Sequence, residues 1–324
     1  MIGERIIEGL SDTASLAESW ATGTSRVRRR EGVRTAAGWA VVSPLGHLSR
    51  SGYFDPYQFR SESIFDTEWD LLIILDGCRV DLMSEVASEY AFLETVREKY
   101  SLGANSTEWI QENFVNEPDQ ERLKNACYIT GNPHTEVTLT GDNLGYLDEV
   151  WKYAFDYDRG VMPPRPITDR AISAGRNRDF DRCIVHYMQP HFPSIPRLDL
   201  GSTMNPKNVG DEWNSIWNRL RKGEVSEQVV WEAYRENLQH ILDEIEVLLK
   251  NFQAEKTIIS ADHGNAFGEF GFYGHPPIPI SAIRKVPWCK SSANDEGTRQ
   301  PDITPPEQDS SFSRNEQLQA LGYK

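Results

Sequence analysis

Four short apolar runs constrain this chain more than any other feature. They are Asp70–Leu75 (DLLIIL), Cys127–Thr130 (CYIT), Cys183–Met188 (CIVHYM) and Thr257–Ala261 (TIISA). Each is too short for a typical helix, mostly β-branched or aromatic, and apolar at successive rather than alternate positions. A strand reads this way when both of its faces are covered, as in a buried parallel sheet. Helical patterns lie between the runs, over Val80–Lys99, Thr168–Asn177 and Glu227–Asn251. In the last, Val230, Ala233, Leu238, Ile241, Leu242, Ile245, Leu248 and Leu249 recur at helical spacing. Strands alternating with helices predict an α/β fold of three layers, a mostly parallel sheet with helices on both faces.

Every run ends in a polar turn. The four turns are Asp76-Gly77-Cys78-Arg79, Gly131-Asn132-Pro133-His134, Gln189-Pro190-His191 and Asp262-His263-Gly264-Asn265. In a parallel sheet such ends point the same way, and ligands bind in the crevice outside them. The pattern therefore gathers Asp76, Asp262, His263 and His191, with His275 on the loop that follows. Carboxylate with neutral imidazole suits a divalent transition ion. Arg79 and Asn132 stand on the same turns and are candidates for holding an anionic substrate. Singly, each has a plainer reading: Asp76 as a helix N-cap, His191, His263 and His275 as loop histidines with satisfied bonds. Their coincidence after strands favours a site.

The segment Ser101–Trp109 (SLGANSTEW) adds a hydroxyl. Gly103 permits a sharp turn, and Asn105, Ser106 and Thr107 offer N-caps for a helix beginning near Glu108. A hydroxyl there lies at the positive end of a helix dipole, which stabilises an alkoxide and the anionic ester it attacks. Asn105 with Glu108 also reads as a capping box that needs no function. Ser106 and Thr107 are both candidate nucleophiles.

Composition narrows the function classes. No apolar stretch approaches the ~20 residues of a membrane helix, so no membrane span is expected. The first residues show no signal-peptide pattern, so the cytoplasm is the expected compartment. Lys and Arg total 34 against 49 Asp and Glu, a net charge of -15, which argues against general binding of nucleic acid or anionic membranes. Arg outnumbers Lys 24 to 10; an acidic excess with scarce Lys is the habit of salt-adapted archaeal proteins, whose hydrated surfaces stay soluble when salt screens repulsion. The four cysteines form no CxxC pair, and Cys127 and Cys183 read as small buried hydrophobes. Residues 1–60 are expected to be a leader packing on the core, with a basic cluster at Arg26, Arg28, Arg29, Arg30 and Arg34 that reads as a solvated face. Residues 61–290 form the expected catalytic domain, and 291–324 a polar, mostly disordered tail. The polar segment Pro193–Glu224, with Trp213 and Trp217, is expected to form a lid or insertion.

Three blocks together resemble the alkaline phosphatase superfamily, especially its sulfatase-like branch: DLLIILDGCRVD (70–81), SLGANSTEW (101–109) and SADHGNAFGEFGFYGHP (260–276). A fourth, VHYMQPHFPS (185–194), resembles a Pro-His-x-Pro segment of sulfatases and lipoteichoic acid synthases, and the wording is also similar to sulfatase-like proteins of haloarchaea. The resemblance implies a metal-dependent hydrolase or transferase of phosphate or sulfate esters, small-molecule or glycan- or lipid-linked. It implies that Asp76, Asp262 and His263, together with the nucleophile, hold one divalent ion (manganese or zinc, with calcium an option) and that His275 binds a second where there is one. It assigns substrate binding to His191, and it favours Ser106 because the family's hydroxyl follows its Gly by about three residues. The Cys-x-Pro-Ser-Arg signature of formylglycine sulfatases is absent, and Gln189 and His191 stand where the family has an Asp-x-x-x-His pair. Two alternatives follow: a phosphosugar mutase, suggested by Asp-His-Gly-Asn, and a catalytically idle module that binds an anionic glycan.

Overall fold

The four apolar runs become four adjacent strands at the centre of one sheet. The structure, a computed structural model, describes residues 60–139, 144–201 and 215–303. Its strands are β1 (Leu71–Asp76), β2 (Val96–Tyr100), β3 (Ala126–Thr130), β4 (Tyr146–Glu149), β5 (Arg182–Pro190), β6 (Ala254–Ala261), β7 (Ala266–Phe267), β8 (Tyr273–Gly274) and β9 (Lys285–Ala293). Seven form a mixed sheet in the order β2-β9-β6-β1-β5-β3-β4, and β7 with β8 makes a small hairpin. β6, β1, β5, β3 and β4 pair in parallel, and β9 runs against its neighbours β6 and β2. The α/β, three-layer, mostly parallel expectation holds.

Successive strand residues face opposite sides, and the two sides build two cores. Odd positions such as Leu71, Ile73, Leu75, Val185, Tyr187 and Ile259 pack with the helices Pro164–Asn177 and Glu227–Leu249. Even positions such as Leu72, Ile74, Tyr128, Ile184 and Ile258 pack with Trp69, Trp109 and Phe114. The long helix starts at Ser226, whose side chain accepts the Val229 N–H, and buries Val230, Leu238, Ile241, Leu242 and Ile245 along one stripe. The helix expected from Thr168 begins four residues earlier. Pro164 suits its first turn, where backbone N–H groups lack helical partners anyway.

Two expectations need correction. The helix expected over Val80–Lys99 is helical only through Val86, followed by a 3-10 turn at Ala87–Glu89; Val96–Tyr100 is strand β2. Its apolar stripe ends at Val86, and β2 is an edge strand whose charges Arg97 and Glu98 point to solvent and guard the edge. The polar stretch from residue 291 begins inside the sheet. β9 runs to Ala293, and Asp295 and Arg299 are then tied down by Arg176 and Asp169, respectively. Within Pro193–Glu224, the helix Ile216–Lys222 packs Trp217 against Phe192, Tyr234 and Phe267. Trp213, the leader with its basic cluster, and residues 304–324 lie outside the described residues. Cys127 and Cys183 are buried and unbridged, as expected. Among the described residues no helix is long and apolar enough to cross a membrane.

Candidate active site and metal centre

The parallel strands deliver their C-terminal residues to one edge of the even face. Asp76 closes β1 where its register with β5 shifts, and it is fully buried. Gly77 then turns the chain with φ +67, a left-handed conformation, and a Cβ there would lie 2.6 Å from Asn265 Nδ2. Its N–H donates to Asp262 Oδ1 at 3.0 Å, and its carbonyl accepts from Asn265 Nδ2 at 2.8 Å and from the Tyr234 hydroxyl. Asp262 follows β6, and its Oδ1 also accepts the His263 N–H at 2.8 Å.

Ser106 opens the helix Ser106–Ile110. Asn105 caps that helix by accepting the Glu108 N–H at 2.9 Å, and the Glu108 carboxylate accepts the Ala104 N–H at 3.0 Å. Gly103 lets this turn close, since a Cβ would lie 2.4 Å from the Trp109 nitrogen. Asn105 is thus an N-cap, but the Glu108 carboxylate reaches Ala104 rather than Asn105, so the box is not closed; the same turn also aims a hydroxyl. Ser106 Oγ stands 2.7 Å from Asp262 Oδ2 and 3.3 Å from Asp76 Oδ2. Thr107 goes elsewhere: its Oγ1 lies 2.8 Å from His134 Nδ1.

His263 presents its other nitrogen to the carboxylates. Its Nδ1 donates to the Gly264 carbonyl at 2.9 Å, which leaves Nε2 as the bare nitrogen. That atom is buried, has no hydrogen-bond partner, and lies 3.5 Å from Asp76 Oδ1 and 3.5 Å from Asp262 Oδ2. With bonds of ~2.0–2.2 Å, ligand atoms around a tetrahedral ion stand ~3.4 Å apart. His263 Nε2 thus stands from one oxygen of each carboxylate at the spacing of two ligands on one ion. Two buried carboxylates side by side also call for a cation, because buried charge is costly unless compensated. Among the described residues Asp76, His186 and Asp262 likewise each offer one atom within 4.8 Å of the others.

The remaining candidates surround this cluster. The His275 ring lies 4.6 Å from His263 and 5.2 Å from His191, and its Nδ1 is 3.0 Å from Asn265 Oδ1. Asn132 is less a substrate contact than a brace: its Nδ2 donates to Asp76 Oδ2 at 3.0 Å and its Oδ1 accepts the His134 N–H at 3.0 Å. Arg79 stands behind the site. Its guanidinium bonds Asp81, Glu269 and the Asn265 carbonyl and lies over Trp231 and Phe267. The substrate role expected for Arg79 does not fit this placement, because those partners engage all its nitrogens.

Electrostatics separates the groups. Burial pushes His191 and His134 down to about 4, and pushes His275 well below its ordinary value, so all three are neutral imidazoles near pH 7. Burial would raise the Asp262 carboxyl, but His263, His186 and the Gly77 N–H outweigh it and hold the group below the usual carboxylate range. Sequence reasoning missed His186 as a site residue because it sits inside an apolar run, and passed over His134 because nothing in the sequence pairs it with Thr107.

No family model matches the chain, and no curated protein does. Among solved structures it is similar to a 2-O GAG sulfatase, BT1596, at 13% identity and TM-score 0.44, over 69% of this chain and 64% of that one. It is also similar to the soluble domain of lipooligosaccharide phosphoethanolamine transferase A from Neisseria meningitidis, at 12% identity and TM-score 0.43, over 67% and 75%. A third is the C-terminal periplasmic domain of phosphoethanolamine transferase EptC from Campylobacter jejuni, at 16% identity and TM-score 0.46, over 75% and 83%. The chain spans a little under two thirds of the length of the sulfatase.

Proposed function

We propose that this protein is a metal-dependent enzyme that cleaves or transfers phosphate or sulfate esters through Ser106. The observation that carries the reading is the buried Ser106 hydroxyl, 2.7 Å from Asp262 and 3.3 Å from Asp76, beside the bare Nε2 of His263. A divalent ion held by Asp76, Asp262 and His263 would lower the pKa of the hydroxyl and offset charge on the ester. Ser106 Oγ bonds to the phosphorus or sulfur as the bond to the leaving alcohol breaks. Asp262 Oδ2 is the nearest acceptor for the Oγ proton. Asn132 steadies Asp76, and the Gly77 and His263 N–H groups steady Asp262, so both carboxylates keep one orientation through the step. Water, or an acceptor alcohol, then displaces Ser106 and regenerates its hydroxyl. His191, neutral near pH 7, is assigned to the outer oxygens of the ester, and His275 to a second ion where there is one.

The test compares hydrolysis of p-nitrophenyl phosphate, a phosphodiester and a sulfate ester by the purified protein in high salt, with chelator and with manganese, zinc or calcium restored. Chelator-sensitive release restored by one metal and abolished in Ser106→Ala is expected. Full turnover by Ser106→Ala would overturn the nucleophile assignment. Metal binding with no turnover on any ester, and no transfer to an added alcohol, would favour the idle binding module instead.

A further inference from the structure

Among the described residues His186 is the one histidine that comes up through the floor of the site rather than over its rim. It lies in β5, paired with Ile74 of β1 and Thr130 of β3, on the even face that ends in Asp76 and Asp262. The side chain is fully buried. Trp109 meets its ring edge-on at 5.4 Å, and Tyr128 stacks on it at 6.2 Å. An apolar side chain would fill this place without cost, and its neighbours Leu72, Ile74, Tyr128 and Ile184 do fill theirs. A buried imidazole needs both nitrogens satisfied. Nδ1 is satisfied by the Tyr128 hydroxyl at 2.8 Å. Nε2 is buried and has no hydrogen-bond partner; its nearest acidic oxygen is Asp262 Oδ2 at 3.7 Å.

That distance is too long for a hydrogen bond, and the same oxygen already receives the Ser106 hydroxyl at 2.7 Å. It is close to the separation of two atoms bound to one ion, and His263 Nε2 shows nearly the same separation, 3.5 Å, from that oxygen. Both histidines thus share one arrangement: Nδ1 lies against an oxygen, and Nε2 is buried beside the carboxylates with no hydrogen-bond partner. A ligating histidine typically has its far nitrogen held in this way.

We infer that His186 is a further ligand of the ion, supplied by β5 from beneath, with Tyr128 as the group that fixes its tautomer and ring orientation. The inference rests on the reading that Asp76, Asp262 and His263 hold a divalent ion. It sharpens the choice of ion. Two imidazoles with two carboxylates suit zinc, manganese or iron over calcium or magnesium, which prefer oxygen throughout.

The decisive measurement uses the whole protein, labelled with ¹⁵N-histidine and loaded with ¹¹³Cd. Two Nε2 resonances coupled to cadmium are expected, one of them placed at His186 by its contacts with the Tyr128 ring. Cadmium coupled to His263 with no coupling at His186 would overturn the inference and leave the ester-cleaving reading intact. Cadmium coupled to neither would overturn both. Competition against a chelator gives a second arm. Tyr128→Phe removes one oxygen and keeps the ring packed on Phe114, and it should weaken zinc binding by about 10–100-fold. Folded Tyr128→Phe and His186→Ala proteins that both bind zinc with wild-type affinity would overturn the inference. Should His186→Ala fail to fold, the cadmium spectrum and Tyr128→Phe decide alone.

Discussion

Along β1 the odd residues Leu71, Ile73 and Leu75 and the even residues Leu72, Ile74 and Asp76 are buried alike, yet only the even set ends in a charge. The neighbouring strands repeat the difference. β5 carries Val185 and Tyr187 on one side and His186 on the other, and β3 carries Ile129 on one side and Thr130 on the other. The covers differ too. The odd face lies under two long helices, one of 23 residues and one of 14. The even face meets the short helix Ser106–Ile110 and the π-turn Gln111–Val115 that continues it. One face holds the sheet together. The other is apolar at its base and gives up apolar contact only at the strand ends, where a short helix can bring in a hydroxyl. On the proposed reading, stability and chemistry are thereby separated by the two-residue repeat of a strand.

Substitutions on the two faces should fail in different ways. Ser106→Ala is the largest expected effect: a loss of at least about a thousandfold in turnover, with the thermal midpoint little changed. Steady-state kinetics beside a melting curve checks it, and a melting point that fell in step with the rate would blur the separation. Leu238→Ala, on the odd-face helix, should cost about 2–5 kcal/mol of stability while leaving zinc affinity as it was, checked by urea unfolding and chelator competition.

Acid should strike the site's surroundings first. His134 and His191 have folded-state values pushed down to about 4, against 6.5 ordinarily. The unfolded chain takes up these protons at higher pH than the folded one does. Their contribution to stability is therefore full above pH 6.5, declines as pH falls from there to about 4, and stays lost below. Urea midpoints of the metal-free protein across that window should fall, and a flat profile would contradict the burial of these rings. The smallest effect is expected for Thr107→Val. Its hydroxyl meets His134 and not the carboxylates, so the rate should drop by no more than about tenfold, the worth of one hydrogen bond.

The strand ends were legible in the sequence because a buried parallel strand and the turn after it are both local signals. Asp76, Asp262 and His263 could be named together because all parallel strands end on one side. Which of Ser106 and Thr107 faces the carboxylates was not decidable locally, since both follow the same cap; it depends on Asp262, 156 residues away from Ser106. His186 was hidden by its own strand, where one polar residue among Ile184, Val185 and Tyr187 looks like a core histidine. β2 was hidden for the opposite reason: its charged residues face solvent at an edge, so its pairing with β9 leaves no apolar pattern. Arg79 was misjudged because a cation beside a candidate site is read as a substrate contact until its acidic partners are known.

The placing of β1 between β5 and β6 has a consequence for synthesis. Gly77 and Asp262, which hydrogen-bond in the finished protein, are 185 residues apart. At ~5–20 residues per second a ribosome needs roughly 10–40 s to travel that distance. Throughout that interval the nascent chain has β1 without its β6 neighbour, an open edge that another chain could pair with. The two carboxylates take up their places beside one another only when β6 joins β1, so an ion that needs both would be held only after that pairing.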